Sequence, residues 1–165
     1  MSTQTLTRPA ITLEEATRFI WAEADLLDRL DYKPWLALWT ATGRYTIPTE
    51  RDAVDFDAVL NVVHDDATMR GLRVKRLMSG FAMSSAPPAR TVRTVSRFVV
   101  TGEGEGSLSL RAAMLLGEYK YERTRVLAAD VDYHLVSVEG AIRLDRKVVR
   151  LVNCDDFLHG IGYLL

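Results

Sequence analysis

Hydrophobic positions recur at three- and four-residue steps in the first half of the chain and at two-residue steps in the second. Thr12-Leu13-Glu14-Glu15 has the form of a capping box, and behind it Ala16, Phe19, Ile20, Glu23, Leu26, Leu27 and Leu30 make one stripe. Arg18, Asp25, Asp28 and Arg29 lie mostly off that stripe, so the pattern predicts a helix that packs on one side only. Asp31 breaks it. Tyr32-Lys33-Pro34-Trp35 then opens a short second helix with its proline in the first turn, and Trp35, Leu36, Leu38 and Trp39 supply the buried side.

Thr42 to Pro48 reads as a turn and a short strand, and the acidic stretch Thr49 to Asn61 as a covering loop. A third helix is expected from about Asp66 to Met78, with Asp65 and Asp66 at its positive end. Ser84 to Pro88 is a loop, after which the period becomes two. Thr91–Thr101, Ser107–Tyr121, Arg123–Val138 and Ala141–Val152 are extended segments separated by turns at 102–106 and at Glu139-Gly140. Three N-terminal helices followed by an antiparallel meander is an α+β layout. Strands of about fifteen residues have to bend, so the expected shape is a long curved antiparallel sheet forming a cone, with helices across its mouth and a pocket inside.

The 165 residues fit one domain, residues 11–165, preceded by a polar, disordered leader over residues 1–10 that lacks the apolar core of a secretory signal. No apolar run approaches the roughly 20 residues that cross a bilayer, so no membrane partner is expected and a cytoplasmic location is. The net charge of −1 comes from interspersed acids and bases, which argues against nucleic acid. The one cysteine, Cys154, leaves no internal disulfide and reads as a small buried hydrophobe.

The sequence closes on uncharged hydrophobic residues. Ile161, Tyr163, Leu164 and Leu165 would form an exposed apolar patch if left in water, which points to docking against a partner subunit. Arginines point the same way. Arg70, Arg73 and Arg76 repeat every three residues on the third helix, and Arg90, Arg93 and Arg97 run along the loop and first long strand, a set suited to carboxylates on a neighbouring chain.

Catalytic signals are sparse. His64, His134 and His159 show no metal-ligand spacing, and His64-Asp65-Asp66 reads as the start of a helix rather than a metal site, so no metal or cofactor is expected in this chain. Asp31, Tyr45 and His64 are the candidates for acid–base work inside a cone, which leaves a free-standing isomerase or dehydratase as the alternative function. Gly102, Gly104 and Gly106 lie at a hairpin tip and make no phosphate cradle.

Several ordered segments resemble the small, or beta, subunit of Rieske-type aromatic-ring-hydroxylating dioxygenases. They are Glu23 to Asp28, Trp35 to Trp39, Gly43 to Pro48, Asp65-Asp66 with Arg73 to Leu77, Pro88 to Arg93 with Val95-Ser96, Lys147 to Val149, and the ending from Asp156 to Leu165. Arg97 departs from the family pattern, where asparagine is common after the serine. The resemblance implies a cystatin-like cone, shared with nuclear transport factor 2, ketosteroid isomerases and scytalone dehydratase. It also implies a homotrimer of small subunits within a hexamer of three large and three small chains. The Rieske 2Fe-2S cluster and the mononuclear Fe(II) then belong to the large (alpha) subunit, and the small subunit is a non-catalytic, structural part of an oxidoreductase for aromatic compound degradation. No catalytic residue carries over.

Overall fold

The computed structural model describes residues 10–79, 87–156 and 160–165. Apart from Ala10, the expected leader lies outside the described residues, as do most of the Ser84–Pro88 loop and His159.

Helix α1 (Leu13–Asp28) starts as its capping box dictates: Thr12 Oγ1 accepts the Glu15 N–H at 3.2 Å, and the Glu15 carboxylate accepts the Thr12 N–H at 2.9 Å. Leu30, at a φ of 61°, turns the chain into the short helix α2 (Tyr32–Ala37). Trp39, expected on the buried side of that helix, is instead the first residue of strand β1 (Trp39–Pro48). Strand β2 (Asn61–Asp65) follows the acidic loop, and helix α3 (Ala67–Met78) is capped by the Asp66 carboxylate, which accepts the Met69 N–H at 2.9 Å. The long strands are β3 (Arg90–Gly104), β4 (Ser107–Lys120), β5 (Arg123–Val138) and β6 (Ala141–Leu151). Tight turns with left-handed residues join them, Tyr121-Glu122 between β4 and β5 and Glu139-Gly140 between β5 and β6.

All strands lie in one sheet of order β2-β1-β6-β5-β4-β3. Two features depart from a simple meander. The stretch read as the start of a helix, His64-Asp65, belongs to β2, which pairs antiparallel with β1; and β1 runs parallel to β6, so the sheet is mixed. The first strand thus pairs with the last, and the chain between them is the long crossover that a parallel pair needs. Bulges interrupt β3 near Ser96 to Gly102, β6 at Asp145 opposite His134/Leu135 and β1 between Trp39 and Arg44, and such bulges bend long strands. Arg97, at a φ of 55°, occupies the first of these bulges, a conformation that asparagine or glycine adopts more readily than arginine.

Strict alternation separates two faces. Leu108, Leu110, Ala112, Met114 and Leu116 of β4 oppose Tyr133, Val131, Ala129 and Leu127 of β5 on an inner face covered by α1 and α2. On the outer face stand Ser109, Arg111, Leu115, Asp130, Asp132, His134, Arg146 and Arg150. The 49–60 loop lies on this outer face: Arg150 donates to the carbonyls of Arg51 at 2.8 Å and Ala53 at 2.7 Å, and its guanidinium lies 5.5 Å from the Phe56 ring centroid.

Candidate functional site

Cone-shaped folds place a pocket between helices and inner sheet face, and here bulky side chains of α1, α2, β1 and β6 project into that space. Trp35, Trp39 and Tyr45 form an aromatic cluster with ring centroids 5.5 to 6.1 Å apart, mostly edge to face. Beside it lies a buried ion pair. Lys147 of β6 donates to Glu23 of α1 at 2.6 Å, and Trp35 Nε1 donates to the same carboxylate oxygen at 2.9 Å. Lys147 and Glu23 are 1% and 2% exposed at the side chain. Burial pulls the Lys147 ammonium below its ordinary value, and the Glu23 carboxylate opposes that pull. Lys147 Nζ also lies 5.8 Å from the Tyr133 ring centroid.

The last residues of the sequence adjoin the same cluster through Tyr45. Tyr163, Leu164 and Leu165 are buried in the chain's own core, at 8%, 2% and 0% exposure, and Ile161 packs against it half-buried. This corrects the expectation that these residues need a partner subunit to cover them: intramolecular burial already removes most of their apolar surface from water. Tyr45 Oη accepts the Leu165 N–H at 2.9 Å, and the buried guanidinium of Arg93 donates to the Leu164 carbonyl and to Asp28. Asp28 also accepts from Thr91 Oγ1 at 2.8 Å and from the Arg93 N–H at 2.9 Å, so its carboxylate ties α1 to β3, and Arg93 extends the link to Leu164.

Asp31, Tyr45 and His64 do not meet. Asp31 is exposed at the start of α2. Tyr45 points to the inner face, wholly buried, and burial pushes its hydroxyl far above its ordinary value of 10.0, which removes it from proton transfer near neutral pH. His64 pairs in register with Thr46, the neighbour of Tyr45, and therefore stands on the other face of the sheet. There its Nδ1 lies 3.0 Å from Thr46 Oγ1 and its Nε2 3.0 Å from Asp57. Among the described residues no three His, Cys, Asp or Glu side chains gather as a metal site, and no helix is long and apolar enough to cross a membrane.

The arginines divide into two classes. Arg73 grips the buried Asp65 with two nitrogens, at 2.6 and 3.0 Å, and Arg93 is spent on Asp28 and Leu164; both serve the chain's own interior rather than an exposed interface. Arg70, also buried, stacks 4.3 Å from the Trp39 ring centroid and donates to the Gly43 carbonyl. Arg76 and Arg90 are exposed, Arg90 lying 5.9 Å from the Tyr119 ring centroid, and Arg97 pairs on the outer face with Asp130. Sequence reasoning missed Glu23 and Lys147 as a pair. The signal was present, because an acid within an apolar stripe requires a buried cation, and Lys147 interrupts an apolar strand.

The family described as ring hydroxylating beta subunit matches residues 22–155. The chain belongs to that family of ring-hydroxylating beta subunits. Among curated relatives, the small oxygenase component of the p-cumate 2,3-dioxygenase system of Pseudomonas putida is 27% identical over 140 residues, covering 83% of this chain and 77% of that protein. Among solved structures, the beta subunit of the benzoate 1,2-dioxygenase from Burkholderia mallei superposes with a TM-score of 0.76 at 19% identity, covering 99% of this chain and all of that one, or 100%. A protein from Novosphingobium aromaticivorans described as having a cystatin-like fold superposes with a TM-score of 0.57 at 15% identity over 85% of this chain and 81% of its own. The cystatin-like α+β cone expected for a ring-hydroxylating beta subunit is thus the fold observed.

Proposed function

We propose that this chain is the scaffolding small subunit of a multicomponent aromatic-ring dioxygenase and has no reaction centre of its own. The observation that supports this reading is the packing between helices and inner sheet face: the aromatic cluster, the Glu23–Lys147 pair and residues 163–165 stand where an isomerase or dehydratase of this shape would hold substrate. Three copies associate through their outer sheet faces, and three large subunits, carrying the Rieske 2Fe-2S cluster and the mononuclear Fe(II), complete a cytoplasmic hexamer. Val92, Leu115, Tyr119 and Val126 support the trimer, since they sit at adjoining positions of β3, β4 and β5 on the outer face, 72%, 54%, 44% and 67% exposed. Arg76, Arg90, Arg97 and Ile161 remain as contacts offered to neighbours. Arg73, Arg93, Tyr163, Leu164 and Leu165 act one step back, holding the surface in shape.

Co-expression with a Rieske large subunit tests the reading. The two chains are expected to co-elute as a coloured, iron-containing complex, whereas the small subunit alone sediments as a colourless trimer without turnover. A monomeric preparation that transforms a substrate by itself, or that binds stoichiometric iron, overturns it.

A further inference from the structure

We propose that the acidic 49–60 loop of one copy docks into a basic, apolar groove between α2 and α3 of the next copy. The inference rests on the trimer of the scaffold reading and gives it a second seam. The groove has a volume of about 410 Å³; Leu36, Gly71, Val74 and Met78 line it, and Lys33 and Lys75 stand at its rim. Met78 is 54% exposed. Lys33, Lys75 and the neighbouring Arg76 meet no acidic partner among the described residues.

Gly71 is the second observation. A glycine inside a helix costs roughly 0.5–1 kcal/mol relative to alanine, a cost accepted where something must approach the backbone. Among the described residues nothing does: a Cβ at Gly71 would meet no atom within 4 Å. The bare backbone leaves a notch in the groove floor open to an occupant from another copy.

The chain itself carries a matching occupant. Glu50 and Asp52 are exposed and meet no cation among the described residues, and they precede Val54, 87% exposed; Leu60, at 81%, ends the same loop. Thus an acidic segment with an apolar tip and a basic groove with an apolar floor coexist on different surfaces of one molecule. Contacts between unlike surfaces of identical chains propagate head to tail and close into a ring of three when the rotation between copies is one third of a turn, the kind of contact a three-fold assembly requires. The loop rests on the outer sheet face, so it continues the interface already assigned there.

Charge reversal with rescue tests this. Lys33→Glu with Lys75→Glu, and separately Glu50→Lys with Asp52→Lys, are each expected to weaken the trimer at least tenfold in sedimentation at low salt, while circular dichroism and Tm stay those of the wild type. The four changes combined in one chain restore complementarity and are expected to restore the trimer. Gly71→Leu fills the notch and is expected to keep the fold while weakening assembly. Reversal pairs or Gly71→Leu that trimerise like the wild type overturn the proposal, as does a quadruple variant no better than either pair. Variants that trimerise normally yet lose the large subunit overturn it too, by giving the groove to that partner. A wild type that is monomeric overturns the scaffold reading itself, and this inference with it.

Discussion

The hydroxyl of Tyr45 holds the main chain of Leu165 at both polar atoms, accepting its N–H at 2.9 Å and donating to its oxygen at 3.2 Å. No water reaches this pair, because both residues are fully buried. Removing the hydroxyl leaves a buried N–H and oxygen unpaired, a loss of about 1–3 kcal/mol. Tyr45→Phe is therefore expected to lower the urea midpoint without changing the m-value, and to speed hydrogen exchange at Leu164 and Leu165. An unchanged midpoint would show that residues 163–165 are held by apolar packing alone.

Glu23 and Lys147 form the polar centre of the cone at 2.6 Å, and each is the compensation for burying the other. Breaking such a pair from one side typically costs about 3–5 kcal/mol, whereas replacing both partners by apolar groups of similar volume is often neutral or stabilising. Glu23→Leu and Lys147→Met are each expected to destabilise strongly, and the double variant to recover most of the loss. A double-mutant cycle by chemical denaturation measures this directly, with one reservation built into the geometry: Trp35 Nε1 also loses its acceptor in the Glu23 variants.

Alkaline pH should unfold the protein abruptly. Burial raises the hydroxyls of Tyr45 and Tyr133 far above the ordinary 10.0, so they keep their protons in the fold and lose them on unfolding. Their contribution is fully present below pH 10 and falls by roughly 3 kcal/mol per pH unit above it. Lys147 has the opposite sign. Its lowered pKa makes stability rise with pH up to 10.5, beyond which both states are neutral and it contributes no further slope. A steep fall in stability above pH 10 is expected, with phenolate absorbance from Tyr45 and Tyr133 appearing only as the fold is lost.

Much of this architecture was legible locally. The capping box at Thr12, the stripe behind it and the two-residue alternation of the long strands each rest on neighbours a few residues apart, and each appears where the pattern places it. Strand β2 was not legible, because five residues at a sheet edge carry too little alternation, and His64 gains its strand partner Thr46 only through the pairing with β1. The hydrophobic ending was legible as something that must be covered, but not by whom. Its anchors lie far away in sequence, Tyr45 at a separation of 120 residues and Arg93 at 71 from Leu164. Regular spacing likewise grouped Arg73, Arg76 and Arg93 as one kind of residue, although only the fold decides which guanidinium finds a buried carboxylate. In the site, Glu23 was counted as part of an apolar stripe, and its charge acquires meaning only when β6 brings Lys147 across from it.

The outer sheet face supplies the most direct test of assembly. Val92, Gly117 and Val126 lie in one row across β3, β4 and β5, and Leu115 adjoins them one row on, beside Ala128. These side chains support nothing inside the chain, so changing them alters the surface rather than the core. Burying a valine or leucine contributes about 1.5–3 kcal/mol, and several such residues from each of two copies suffice to hold an interface once the rim is complementary. Leu115→Glu with Val126→Glu places a charge in each row of that apolar surface, and an ion brought unpaired into an interface opposes association more strongly than the lost apolar contact alone. The expected result is a folded monomer, with the Tm close to that of the wild type and a sedimentation coefficient for one 18.5 kDa chain. Persistence of the trimer in this variant would move the seam off the sheet, leaving the α2–α3 groove as the contact to examine.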